Sequence, residues 1–344
     1  MKAARLHTFH DRLRIEDTPE PKITDPFDVV VKVGAAGLCR TDLHIWEGQF
    51  EQAQQQAALS LPYSPGHENA GWVHAVGDGV THVAPGDPVI LHPLITCGLC
   101  RACRAGDDMH CASGVFPGLF AEGGFAELIK TGVRSVIKMD PSLHPTDVAP
   151  LADAGLTAYH AIKKALPLLY PGTRCVVIGA GGLGHIGIQC LKAMSATEVV
   201  VVDTSEAALE LARGWGADHV VPVDGRQVEQ VKELTGGTGA EVVIDFVGEA
   251  GAESWGVEML RNAGFYYVIG YGGTLQVPTM DIILREISFI GNLVGTYNDL
   301  VELMTLAAQS KVKLHTSIYP LDAINDAIDD LNSGRLHGRG VLVP

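Results

Sequence analysis

From about residue 172 the chain alternates continuous apolar runs with amphipathic stretches. Cys175-Val176-Val177-Ile178-Gly179 is apolar throughout and predicts a strand buried on both faces; residues 183–194 then carry helical periodicity. The pattern repeats as strand 199–203, helix 205–214, a short strand at 219–221, helix 227–234, strand 241–245, a helix running to 262, and strand 266–270. Buried strands alternating with helices predict a doubly wound parallel sheet. The first 150 residues read differently. Half-buried strands are expected at 27–33 and 71–76, and the turn Pro85-Gly86-Asp87-Pro88 leads into Val89-Ile90-Leu91, so this part is mainly β. Two amphipathic helices, around 299–309 and 322–331, and a strand at 340–343 close the chain. The glutamine-rich stretch 51–58 reads as a solvated helix without chemistry.

A length of 344 residues suits about two domains. The net charge of −15, with no Lys/Arg cluster longer than a pair, repels phosphate backbones and argues against nucleic acid as a partner. The start Met1-Lys2-Ala3-Ala4-Arg5-Leu6-His7 lacks the apolar core of a signal peptide, and no uncharged apolar run approaches the ~20 residues of a bilayer span. A cytoplasmic protein without a membrane partner is expected. In a reducing compartment, seven cysteines with four crowded together point to metal ligation over disulfides. The remaining two in the second half, Cys175 and Cys190, read as core thiols.

Gly179-Ala180-Gly181-Gly182-Leu183-Gly184 is G-x-G-x-x-G set between an apolar strand and a helix. Its first glycine permits a tight turn, its second lets a pyrophosphate approach the backbone, and its third lets helix pack on strand. The phosphates of a dinucleotide are expected at the N-terminus of the helix, where free N–H groups favour anions. Nineteen residues beyond Gly184, Asp203 ends the next strand, where a carboxylate accepts hydrogen bonds from the ribose hydroxyls and repels a 2′-phosphate. Thr204 and Ser205 offer no arginine for such a phosphate, so NAD is expected over NADP.

Two further clusters carry candidate metal chemistry. Cys39-Arg40-Thr41-Asp42-Leu43-His44 packs thiol, cation, hydroxyl and imidazole into six residues, and Gly66-His67-Glu68 adds a second imidazole in a turn–strand setting. Cys97, Cys100, Cys103 and Cys111 follow C-x2-C-x2-C-x7-C, a spacing that closes a tetrahedral zinc with no open position. Taken alone, that spacing also suits an iron–sulfur cluster or a zinc-ribbon nucleic-acid module, the latter opposed by the acidic charge.

Gly66-His67-Glu68, with Gly71 and Gly77, meets the signature of the zinc-containing alcohol dehydrogenases of the medium-chain dehydrogenase/reductase superfamily, and the chain resembles that family over essentially its whole length. The resemblance implies an α/β protein. A mainly-β GroES-like catalytic domain would cover 1–150, with a structural-zinc lobe at about 93–113. A Rossmann NAD-binding domain with a doubly wound parallel sheet would cover 151–290, and 291–344 would return to the catalytic domain. It also implies a catalytic zinc held by Cys39, His67 and a third ligand within Pro150-Leu151-Ala152-Asp153-Ala154-Gly155-Leu156-Thr157. Many relatives carry Cys there; this chain has Asp153, as do the bacterial secondary-alcohol dehydrogenases it looks most like. Glu68 would stand beside the metal and in some states join its ligands, while Asp42 would orient His67. Thr41 and His44 are implied as the proton relay, Arg40 and Arg339 as pyrophosphate contacts, Thr157 and Leu293 at the nicotinamide end. The implied activity is oxidation of an alcohol to an aldehyde or ketone with NAD, by a homo-oligomer, tetramer or dimer, with one catalytic and one structural zinc per chain. A polyol or formaldehyde dehydrogenase on the same fold is the rival reading; a metal-free quinone-reductase-like or non-enzymatic relative would lack the Cys39/His67 pair. Trp46, Phe50, Leu94, Phe116, Phe120 and Leu293 are candidate pocket walls, and His185 reads as a helix-surface residue.

Overall fold

The computed structural model describes residues 1–344, which divide into two units. One comprises Met1–Leu156 with Gly295–Pro344, the other Thr157–Val294.

The first unit is built on a seven-stranded, mostly antiparallel sheet. Thr316–Pro320, Arg339–Val343, Asp28–Leu38, Glu68–Val76, Pro88–Leu91 and Val136–Lys138 follow one another across it, and Leu128–Gly132 also pairs with Asp28–Leu38. The alternation of the sequence becomes one face on the core, where Val29, Val31, Val33, Val73, Val89 and Leu91 are buried with Leu43, Ile45 and Tyr63. Two short helices link Asp28–Leu38 to Glu68–Val76, α1 (Arg40–Trp46) and α2 (Glu51–Gln56). Helix Ile324–Asn332 closes the same core with Ile324, Ala327 and Ile328.

The second unit is a six-stranded, all-parallel sheet in the order His219–Pro222, Glu198–Asp203, Arg174–Ile178, Ala240–Asp245, Leu260–Val268, Ser288–Gly291. Val199, Val200, Val201 and Val202 are fully buried, as strands covered on both faces require. Strand order reverses between Arg174–Ile178 and Ala240–Asp245, so a ligand crevice is expected outside their carboxyl ends. One element differs from the sequence expectation. The helix running to 262 stops at Glu258, and the strand begins at Leu260 with a register shift and Ala263 at φ 55°. The polar Arg261 and Asn262 sit in that irregular strand start, where their side chains are not needed in the core. No helix is long and apolar enough to cross a membrane.

Candidate active site and metal centres

Cys39 follows the long Asp28–Leu38 strand and is the N-cap of α1; its N–H donates to Asp42 Oδ2 at 2.9 Å, so the aspartate that caps the helix is fixed three residues on. The other Asp42 oxygen, Oδ1, lies 3.3 Å from His67 Nδ1, and His67 Nε2 lies 3.5 Å from Asp153 Oδ2. Cys39, His67, Glu68 and Asp153 each bring a ligand atom to within 4.8 Å of the others. His67 is fully buried, yet both its ring nitrogens and Asp153 Oδ1 lack a hydrogen-bond partner of good geometry. Burial by itself would hold the imidazole neutral; the charge of Asp42, with Asp153 and Cys39, outweighs it and lifts His67 well above its usual pKa. A thiol, an imidazole and a carboxylate converging in a dry pocket with unsatisfied atoms fit a zinc ion, with Asp42 on the far nitrogen to fix the ring.

Glu68 differs from that trio in having both oxygens engaged by other partners. Its Oε1 accepts from the Ala154 N–H at 2.9 Å, and Oε2 pairs with the guanidinium of Arg339, both side chains being almost wholly buried. Space for the carboxylate is made opposite, because a Cβ at Gly37 would collide with Glu68 Oε2. Arg339 therefore faces Glu68 and also interacts with Cys39. Arg40, Thr41 and His44 lie on α1, with Thr41 and His44 half-buried and three residues apart, hence neighbours on one face.

The four-cysteine lobe is also assembled. Sulfur separations of 3.6 Å (Cys97–Cys111) and 4.0 Å (Cys97–Cys103) bracket the roughly 3.8 Å that ~2.3 Å Zn–S bonds impose on a tetrahedron. The N–H groups of Leu99 and Cys100 both reach Cys97 Sγ at 3.4 Å and bring that thiol down to about 6, whereas burial pushes Cys103 up to about 12. The lobe thus fits zinc too. Because a closed site converts metal affinity into folding energy, Cys103→Ser should lower the melting temperature by about 5 °C or more and remove one metal per chain. Unchanged stability with collapsed turnover would instead place chemistry in the lobe.

In the second unit, Gly179 has φ +88° and Gly184 is so close to the Gly179 carbonyl that a Cβ there would overlap it. Gly181 has nothing within 4 Å of where its Cβ would be, so it is open to a ligand. Gly182 and Leu183 complete the loop, and helix Gly184–Met194 begins there. Asp203 grips the loop, accepting from the Ala180 N–H at 2.7 Å through Oδ2 and from the Ser205 N–H at 2.8 Å through Oδ1. Thr157 is half-buried in helix Ala154–Ala165, and Leu293 is 55% exposed. His185 corrects the sequence expectation, since it is buried and not on the helix surface: Nδ1 lies 2.9 Å from the Gly181 carbonyl and the ring tilts against Trp215 at 5.0 Å. Asp245 is a further buried acid beside the loop that the sequence does not single out. Buried at its strand end, it accepts from the N–H groups of Val247 (2.8 Å) and Gly248 (2.9 Å) and from Tyr266 Oη–H (2.7 Å), fixing the turn whose Val247 packs beside Gly179. Only the strand-terminal position of an acid could have signalled it.

Of the candidate pocket walls, Phe116 meets His67 edge-to-face at 5.9 Å. Trp46 turns to the N-terminal segment, donating to the Asp11 carbonyl at 2.8 Å, and Leu94 lies near the Cys111 end of the lobe, beside Gly114.

Comparison with known proteins shows the family of the chain. An alcohol dehydrogenase GroES-like domain matches residues 25–141 and a zinc-binding dehydrogenase domain matches 182–309. The chain is 36% identical to an NAD-dependent alcohol dehydrogenase of Sulfurisphaera tokodaii, covering 100% of both chains, and 36% identical to an alcohol dehydrogenase of Geobacillus stearothermophilus, covering 99% of both. The solved structure of an alcohol dehydrogenase from the hyperthermophilic archaeon Aeropyrum pernix superposes with a TM-score of 0.96 at 48% identity over 100% of each chain. The chain belongs to the zinc-binding alcohol dehydrogenases of the medium-chain dehydrogenase/reductase superfamily.

Proposed function

We propose that the protein reversibly oxidises apolar primary or secondary alcohols, aryl alcohols among them, to aldehydes or ketones with NAD, in the cytoplasm and as a homo-oligomer. The observation that carries this reading is the buried convergence of Cys39, His67 and Asp153, with partnerless polar atoms, in a chain whose other unit bears the dinucleotide loop. Zinc held by these three residues would supply Lewis acidity towards the alcohol oxygen, and NAD a hydride acceptor. The chain's own residues do the rest. Asp42 holds the His67 ring in place, leaving Nε2 for the metal. Thr41 Oγ1, two residues from Cys39, would accept the alcohol proton as its own hydroxyl proton moves on by way of the nicotinamide ribose to His44, which would release a proton to solvent. Asp203 and the open Gly181 support an NAD ribose and pyrophosphate at the loop, with Arg40 as a cation for the phosphates and Thr157 and Leu293 at the nicotinamide end. Arg339, whose guanidinium is paired with Glu68, is proposed with Arg40 as a pyrophosphate contact.

A panel of short, secondary and aryl alcohols, a polyol and formaldehyde, followed as NADH absorbance at 340 nm, tests this. Turnover should be greatest with apolar alcohols; turnover confined to the polyol or to formaldehyde would favour the rival dehydrogenase.

A further inference from the structure

Helix α2 is the glutamine-rich stretch that reads as solvated, and five of its six residues are exposed. The sixth, Gln54, is 4% exposed, and its amide is committed twice. Nε2 donates to Tyr63 Oη at 2.8 Å and to the Leu119 carbonyl at 2.9 Å. Both partners lead towards His67. Tyr63 is fully buried and close enough to Asp42 and His67 to feel their charges. Leu119 lies in the turn at 116–121, which closes on itself through Phe120 N–H to Phe116 O and Gly118 N–H to Ala121 O, each 2.8 Å. That turn is pressed on the ligand from two directions: the Phe116 ring meets the His67 ring edge-to-face, and Gly118, at φ +89°, lies so near the Gly66 carbonyl that a Cβ would come within 2.6 Å of it.

We propose that Gln54 is a positioning residue that fixes the 116–121 turn, and with it the Phe116 wall beside His67, so that a polar tether from α2 sets which alcohols fit. A buried amide with two partners is the sort of group whose loss is felt locally, because the Leu119 carbonyl is left without its donor in a dry setting. No other residue of the helix is buried. The tether itself is independent of the reaction; its consequence for substrates rests on the alcohol reading above.

The experiment uses the zinc-loaded enzyme with Gln54→Met, which keeps the volume and removes both donors, and Gln54→Glu, which can still accept from Tyr63 but repels the Leu119 carbonyl. Amide hydrogen exchange across 114–125 should accelerate about tenfold or more in both variants, while 97–111 stays as in the parent. Tyr63→Phe, which leaves the Leu119 bond in place, should keep exchange in that segment within about twofold. In parallel, KM for a benzylic alcohol should rise about tenfold, with kcat for ethanol within about twofold, the scale at which pocket walls discriminate. Unchanged exchange in both Gln54 variants, or a uniform acceleration over the whole first unit, would overturn the tether. Altered exchange with an unchanged ratio of benzylic to ethanol KM would overturn its role in selection. A parent enzyme that oxidises neither alcohol would refute the alcohol reading, and the exchange data would still judge Gln54.

Discussion

Asp153→Ala should reduce kcat/KM by at least about 1000-fold, or roughly 4 kcal/mol, and remove one metal per chain while the four-cysteine metal and the fold persist. The size of the effect follows from the lack of a substitute. The nearest other carboxylate, Glu68, has one oxygen on the Ala154 N–H and the other on Arg339, and releasing it would strip that buried guanidinium of its carboxylate, a change costing about 3–5 kcal/mol. Asp153 by contrast is tied only loosely to the protein, with Oδ1 partnerless and Oδ2 3.5 Å from His67 Nε2, as suits a side chain whose main contact is a cation. Asp153→Cys should restore metal and part of the activity, since thiolate and carboxylate both bring a negative charge to the ion. Metal content by inductively coupled plasma spectrometry and turnover on one alcohol decide the matter. Full activity and unchanged zinc in Asp153→Ala would remove Asp153 from the ligand set.

The parts of the molecule that were legible in the sequence are those in which local pattern and tertiary demand coincide. The all-apolar runs at 175–178 and 199–202 could only be strands buried on both faces, and the glycine loop stood where strand meets helix. The cysteine spacing carried the lobe, because residues so near in sequence close a site almost by themselves. What escaped depends on partners far away in the chain. Arg339 meets Glu68 across 271 residues, and Gln54 meets Leu119 across 65 from a helix whose composition announces only solvent. His185 looked like a surface residue because helical periodicity cannot tell that Trp215, thirty residues on, covers that face. The helix expected to reach 262 was overextended because strand Leu260–Val268 starts with polar residues and an irregular register, which removes the apolar signal of a parallel strand. For Arg339, Gln54 and His185 the missing term is a long-range contact; for the strand start at Leu260 it is a local pattern that polar residues mask.

If Asp203 reads the ribose, the expected result is a kcat/KM at least about 100-fold higher with NAD than with NADP, about 2.7 kcal/mol. With both oxygens already accepting backbone N–H groups, the carboxylate is fixed at the end of strand Glu198–Asp203 and keeps lone pairs for the ribose hydroxyls. Each charge-assisted hydrogen bond to a hydroxyl is worth roughly 1.5–3 kcal/mol, and a 2′-phosphate would instead meet like charge with only Thr204 and Ser205 beside it. The double substitution Asp203→Gly with Thr204→Arg should therefore erode or invert the preference, chiefly through KM. The same geometry warns against judging by NAD efficiency alone. Asp203 also accepts from Ala180 inside the glycine loop, so its removal loosens the loop and weakens both cofactors together. The ratio of the two efficiencies cancels that shared loss and isolates recognition of the ribose. Asp203→Asn serves as the control, since the amide oxygen can still accept one backbone N–H while the charge is gone. It should lower the NAD/NADP ratio by about tenfold without reaching inversion, the arginine being needed to bind the phosphate. Equal or better efficiency of the parent enzyme with NADP would mean that Asp203 serves the loop alone and reads no ribose.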